Sequence, residues 1–180
     1  MKKPNEMIKN KIKWFILTVA LLFTESALAT AQTKHAPSKY VITFKTFGPV
    51  KVGMTVSKAS KALGVRLRTT DQGTCRYFNT NDRFQDVGFM VNDGTVARFD
   101  VSKRGFATDK GAKVGDSEAR IKRLYKGHYT VSKHFYPDGH YIEVEMKGRK
   151  FSIIFETDGK HVTYIRAGRS PEVGYVEGCS

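Results

Sequence analysis

Cysteine, acidic residues and long apolar runs are all scarce in this sequence. Two cysteines among 180 residues fall short of the roughly four ligands of a zinc site, and no Cys-x-x-Cys or His-x-x-x-His spacing makes up the difference. The first cysteine is Cys75, so no cysteine stands where a lipid anchor would be attached. Beyond residue 23 no apolar run approaches the roughly 20 residues that cross a bilayer, which predicts no stable membrane insertion. Gly-x-Ser-x-Gly is missing as well, and with it the nucleophile elbow of many hydrolases. Asp and Glu number 17 against 31 Lys and Arg, a net charge of +14. Such an excess favours anionic partners. The basic residues form no single dense run, and nucleic acid is not the expected partner.

The first 31 residues read as a secretory signal peptide. Lys2, Lys3, Lys9, Lys11 and Lys13 make a positive start, and residues 14–23 are apolar apart from Thr18. Ala27 and Ala29, or Ala29 and Ala31, supply the small residues before a cut. Residues 32–39 read as a flexible lead. The chain beyond the signal peptide is long enough to bury a core without a cofactor, and it is expected to be a monomer outside the cytoplasm, periplasmic or secreted. In that compartment an even number of cysteines predicts a disulfide between Cys75 and Cys179. Two free thiols, or a two-ligand metal site, are the alternatives.

The chain also repeats itself. Val52-Gly53-Met54-Thr55 before one helix pattern is answered by Val114-Gly115-Asp116-Ser117 before another. Asn92-Asp93-Gly94 between two apolar runs is answered by Asp158-Gly159. Such self-similarity predicts a duplicated unit, with residues 40–104 and 105–170 as the two repeats and 171–180 as a tail pinned by the disulfide. Within them, residues 40–47 alternate like a strand. Thr55 caps a short helix that Gly64 stops, and Ser117 caps a second that ends near Gly127. Strands are expected at 75–78, 87–91, 96–101, 129–136, 140–146, 151–156 and 162–166. The expected class is α+β: two tandem repeats, each a short helix packed on an antiparallel meander.

Gly48-Pro49-Val50-Lys51-Val52-Gly53-Met54-Thr55, the helix ending in Leu63-Gly64, and the strands around Asp93-Gly94 resemble one unit of the SmpA/OmlA superfamily of small bacterial envelope proteins. A tandem pair of such units is similar to the architecture of β-lactamase inhibitory proteins. The stretches Val114 to Tyr125, Asp138 to Tyr141, Phe155 to Val162 and Tyr175 to Cys179 resemble a group of uncharacterised secreted bacterial proteins. The resemblance implies a binding role in the envelope, inhibitor-like or accessory to assembly, and brings no established activity.

The side chains themselves point the same way. Glu143 and Glu145 share a strand face among lysines and read as solvated, not as an acid/base pair. His134, Asp138 and His140 surround one hairpin. If Tyr136 faced His140 across it, both histidines would share a face and could hold a weak metal site, but no metal or cofactor is expected. The richer signal is aromatic and basic: Tyr136, His140, Tyr141, Tyr164, Arg166, Arg169 and Tyr175 form the expected recognition face, because Tyr and Arg dominate binding hot spots. The expected function is a non-enzymatic module that binds an envelope protein. Binding of an anionic glycan or lipid head group is the alternative, and a cell-envelope hydrolase a weaker one.

Overall fold

The computed structural model describes residues 39–135, 138–148 and 150–179. The expected signal peptide lies outside the described residues, as does all of the lead except Lys39. No described helix is long and apolar enough to cross a membrane.

The described chain begins with a bend, although residues 40–47 alternate like a strand. Thr46–Phe47 (β1) pairs with Val50–Lys51 (β2) across Gly48-Pro49, and Ile42 makes only isolated bridges, to Phe47 and Thr108. Thr43 is the cause. Its Oγ1 accepts hydrogen bonds from the backbone N–H of Lys45 at 3.2 Å and Thr46 at 3.0 Å. Local bonds of this kind compete with a strand ladder. Ile42 and Phe47 are nonetheless fully buried.

Helix α1, Val56–Leu63, starts where Thr55 accepts from the Lys58 N–H and stops at Gly64, which is left-handed at φ 71°. It buries only Ala59 and Leu63. Three strands follow: β3 (Cys75–Phe78), β4 (Val87–Asn92) and β5 (Thr95–Val101). Between the last two, Asp93 and Gly94 take φ of 50° and 73°, the two left-handed residues that a tight I′ hairpin requires. Helix α2, Glu118–Leu124, is capped by Ser117 and ends at Tyr125, before Gly127. Tyr125 is buried, and its hydroxyl lies 2.8 Å from Thr108 Oγ1. Then come β6 (Thr130–Lys133), β7 (His140–Glu145), β8 (Phe151–Thr157) and β9 (Val162–Arg169), and a 3-10 turn over Glu172–Gly174.

Strands β3 to β9 form one seven-stranded antiparallel sheet in the order β3-β4-β5-β9-β8-β7-β6. This overturns the expected class. The fold is mostly β, with two helices of eight and seven residues, and it is not a clear pair of α+β repeats. The halves merge where β5 pairs with β9, Phe99 opposite Ala167 and Asp100 opposite Arg166. The junction depends on Gly168: a Cβ there would sit 2.4 Å from the Ala97 carbonyl oxygen and 2.7 Å from Arg98 Cα. Local periodicity finds the strands but does not show that two edges zip into one sheet.

Side chains alternate across this sheet. On one face, Phe89, Phe99, Ala167 and Ile153 lie in register, with Val101, Ile165, Phe155 and Ile142 in the next row but one. These join Leu63 and Ile121 of the helices in a single core that runs the width of the sheet. Phe47 anchors the N-terminal segment in it, edge-on to Phe84, Phe89 and Phe106. The opposite face carries Arg98, Asp100, Tyr164 and Arg166. Over that face the C-terminal segment runs from β9 to β3, where Cys179 is disulfide-bonded to Cys75 with Cα atoms 5.3 Å apart.

The bridge spans 104 residues of sequence, so the chain-entropy account assigns it about 4–5 kcal/mol. Replacing both cysteines by serine is expected to lower Tm by roughly 10 °C, read by scanning calorimetry without reductant. A fall under about 2 °C would mean that the unfolded chain is already compact without the bridge, so that closing the loop removes little entropy.

Candidate functional site

Beneath the C-terminal segment lies a set of charged side chains taken out of water. Arg98 and Asp100 are two residues apart on β5 and therefore share a face, and both are almost fully buried. Arg98 Nε donates to Asp100 Oδ2 at 3.1 Å. Its Nη1 donates to the carbonyl oxygens of Glu172 at 2.9 Å and Tyr175 at 2.7 Å, and its Nη2 to the Tyr77 hydroxyl. Arg166 on β9, directly opposite Asp100, donates from Nη1 to the same Tyr175 carbonyl at 2.9 Å. Its Nε lies 2.9 Å from Glu156 Oε1, and its guanidinium sits over the Tyr141 ring at 5.3 Å. Glu156 is in turn 3.5 Å from His134 Nε2.

Such an arrangement follows from the cost of burying charge. An isolated buried guanidinium is strongly unfavourable, and a paired and hydrogen-bonded one is tolerated. Burial pushes the Asp100 carboxyl above its usual range, while the Arg98 charge pulls it back. Burial, then the charge of Asp100, pushes the Tyr77 and Tyr164 hydroxyls well up, so both remain protonated and neutral.

The tail is fastened at a second point. Glu172 is buried and accepts from Arg169 Nη2 at 2.7 Å, Arg169 Nε at 3.0 Å and Asn92 Nδ2 at 3.1 Å. Burial alone would raise the Glu172 carboxyl, but these donors hold it below the ordinary range.

Beside the fastened tail the sheet face opens into a polar cleft of about 460 Å³. Tyr77, Tyr164 and Gly88 line its floor, Gln85, Asp86 and Ser102 one wall, and Val176, Glu177 and Gly178 of the tail another. The absence of a side chain at Gly88 keeps the floor open: a Cβ there would come within 3.3 Å of the Tyr77 ring and 3.5 Å of Asp100 Cβ. Gly178 brings the tail equally close, since its Cβ would lie 3.0 Å from Tyr77.

Of the residues expected on the recognition face, Tyr164 and Arg166 come together in the cleft, and Tyr141 lies beside them against His134, ring centroids 4.5 Å apart. Tyr175 is in the tail, half exposed, with its carbonyl tied to both arginines. Arg166 and Arg169 hold the tail down. His140 is on the other face of the sheet. Tyr136 lies outside the described residues. The register also separates the two hairpin histidines. His140 pairs with Lys133, so His134 faces Tyr141 and Glu156 while His140 faces Glu118. Among the described residues no group of three His, Cys, Asp or Glu is placed to hold a metal ion.

Sequence reasoning passed over Tyr77, Arg98, Asp100, Glu156 and Glu172. The available signal was Arg98-x-Asp100 inside an otherwise apolar strand, an opposite-charge pair on one face of β5. Sequence reasoning gave Glu118, the first residue of α2, no role beyond suiting the helix dipole. Glu118 Oε1 accepts from Thr157 Oγ1 at 2.6 Å and lies 2.7 Å from His140 Nδ1, and Lys122 Nζ donates to Oε2 at 2.9 Å. Burial opposes ionisation here, but the three donors outweigh it and bring the carboxyl down to about 2. A carboxylate that orients an imidazole is one part of an acid–base device. Thr157, whose proton goes to Glu118, is not a free nucleophile.

No family model matches the chain, and no curated protein matches it significantly. Among solved structures, the chain is similar to the crystal structure of the uncharacterised protein yfeY from Escherichia coli, with a TM-score of 0.50 and 18% identity. The likeness covers 72% of this chain and 99% of that one. At that identity it speaks for the fold alone.

Glu118 sets a pH dependence with a definite sign. Its folded-state pKa lies below the ordinary value of 4.5, so its contribution to stability is complete above pH 4.5 and is lost as pH falls toward 2. Urea denaturation at pH 6 should show Glu118→Gln less stable than the parent by on the order of 2 kcal/mol, allowing for solvent screening. The gap should close by pH 2–3. A gap that stays constant with pH would mean that the carboxylate charge is not what matters.

Proposed function

We propose that the chain is an extracytoplasmic, non-enzymatic binding module of the bacterial envelope, and that it makes contact through the strapped face of its sheet, around the polar cleft. The observation that carries this reading is how the charged groups there are used. Arg98, Asp100, Arg166 and Glu172 are buried and occupied in fixing the tail to the sheet. They make the wall stiff and leave Tyr164, Tyr175 and Val176 to meet a partner. A preorganised wall loses little entropy on binding. A catalytic site, by contrast, keeps a reactive group poised and available.

The compartment is supported by the Cys75–Cys179 disulfide, since such bonds persist in oxidising surroundings, and by the lysine-rich, then apolar, N-terminal sequence. The resemblance of residues 48–64 to the SmpA/OmlA superfamily supports a partner in the envelope. A second reading, binding of an anionic glycan or lipid head group, draws on the net charge of +14. It suits the outer surface better than the cleft, where Asp86, Glu156 and Glu177 present carboxylates.

The test is capture from envelope extract with the oxidised protein, comparing wild type with Val176→Asp and Tyr164→Ala. Val176 is half exposed, so its replacement leaves the fold intact. Capture that persists at moderate salt and falls about tenfold in both variants is the expected result. Capture that ignores both variants, or that vanishes with modest salt as screened surface attraction does, would overturn the reading.

A further inference from the structure

The cleft's chemistry narrows what can occupy it. Of its charged lining, the two guanidiniums are withdrawn: the side chains of Arg98 and Arg166 are 3% and 2% exposed. The carboxylates are more open, with Asp86 at 28% and Glu156 at 20%, and Glu177 is exposed. Lys103, next to Asp86, is held to it at 3.0 Å. An anionic ligand would therefore meet carboxylates on the walls and no accessible guanidinium, in a protein whose overall charge is strongly positive.

The remaining lining is rich in acceptors. Besides the carboxylates there are the amide carbonyls of Asn79 and Gln85 and the hydroxyls of Ser102 and Tyr164. On the floor, Asp100 is fully buried and ion-paired, its Oδ1 2.9 Å from Arg98 Nε, so it is closed to a ligand. The aromatic contribution is Tyr164, with Tyr77 behind it, and the volume of about 460 Å³ falls within the range of small-molecule sites, roughly 300–1,000 Å³. Few apolar groups line the cleft, so a greasy ligand does not fit it.

A ligand that complements this wall brings many hydroxyl donors, carries no negative charge, has a face of C–H groups for a tyrosine, and is one or two rings in size. We infer that the cleft is a saccharide site that takes a neutral sugar, with Glu156 and the amides of Asn79 and Gln85 accepting from its hydroxyls and Tyr164 packing on its ring. This inference rests on the reading of the cleft as the binding surface, and it adds the chemical class of the occupant.

The experiment is a titration of the 15N-labelled, oxidised protein with four probes in parallel: cellobiose, N,N′-diacetylchitobiose, glucuronic acid and spermidine. The readout is the backbone amide signals of Gly88, Ser102 and Gly178, which surround the cleft. Saturable shifts at those three amides with at least one disaccharide, a Kd at least about tenfold weaker for glucuronic acid, and a loss of about tenfold in Tyr164→Leu are expected. The Tyr164→Leu spectrum reports independently whether that variant is folded. Three outcomes would overturn the inference: no shift from either disaccharide up to ~50 mM, equal response to glucuronic acid, or response to spermidine alone. If the disaccharides fail while capture from envelope extract still depends on Val176 and Tyr164, the saccharide falls and the binding module stands. If both fail, the cleft is not the functional surface.

Discussion

The guanidinium of Arg98 joins three parts of the chain that are distant in sequence. It reaches Asp100 on its own strand, the Tyr77 hydroxyl on β3, and two carbonyl oxygens of the C-terminal segment. Arg166 adds a second bond to the Tyr175 carbonyl from the neighbouring strand. Because β5 and β9 meet at the centre of the sheet, these bonds fix the tail across the junction of the two halves. Removing one member of a buried pair of this kind costs about 3–5 kcal/mol, because the other is left charged in a poor solvent. The disulfide closes the far end of the same segment.

The site follows from that constraint. A tail held by carbonyl-to-arginine bonds at one end and a disulfide at the other forms a wall that does not need a partner to order it. Gly88 leaves space in the floor and Gly178 lets the tail lie against Tyr77. The internal pairing draws Arg98 and Arg166 out of solvent, and so it sets the sign of the cleft: a basic protein acquires a local wall of carboxylates, amides and hydroxyls. The chemical class of ligand argued for the cleft depends more on which charges are hidden than on which residues are present.

Several features were legible in the sequence because they rest on local chemistry. Asp93-Gly94 marked its hairpin because only such residues take two left-handed φ values in succession. Thr55 and Ser117 marked helix starts because their hydroxyls accept from the first orphan N–H groups. The extents of β3 and β8 were readable to within a residue. Residues 40–47 misled because a threonine hydroxyl bent a segment whose hydropathy alternates like a strand. The fold class misled for a different reason. Two similar local patterns suggested two units, and the pairing of β5 with β9 is a long-range event that no local pattern encodes. The recognition face was half legible: Tyr164 and Arg166 share a face by strand alternation, but nothing local shows that the tail covers Arg166 and leaves Tyr164 at a cleft. Glu118 was invisible as a hub because its partners Thr157 and His140 lie 39 and 22 residues away.

The most direct test of the central claim is amide hydrogen exchange in Arg98→Met with the Cys75–Cys179 bond intact. The informative amides are those of Gly174 and Tyr175, which donate to the carbonyls of Pro171 and Glu172. If buried Arg98 fastens the tail, both should exchange at least roughly 100-fold faster than in the parent, with the central strands β5 and β9 still protected. Unchanged protection at those two amides would contradict the account and assign the order of the tail to the disulfide alone.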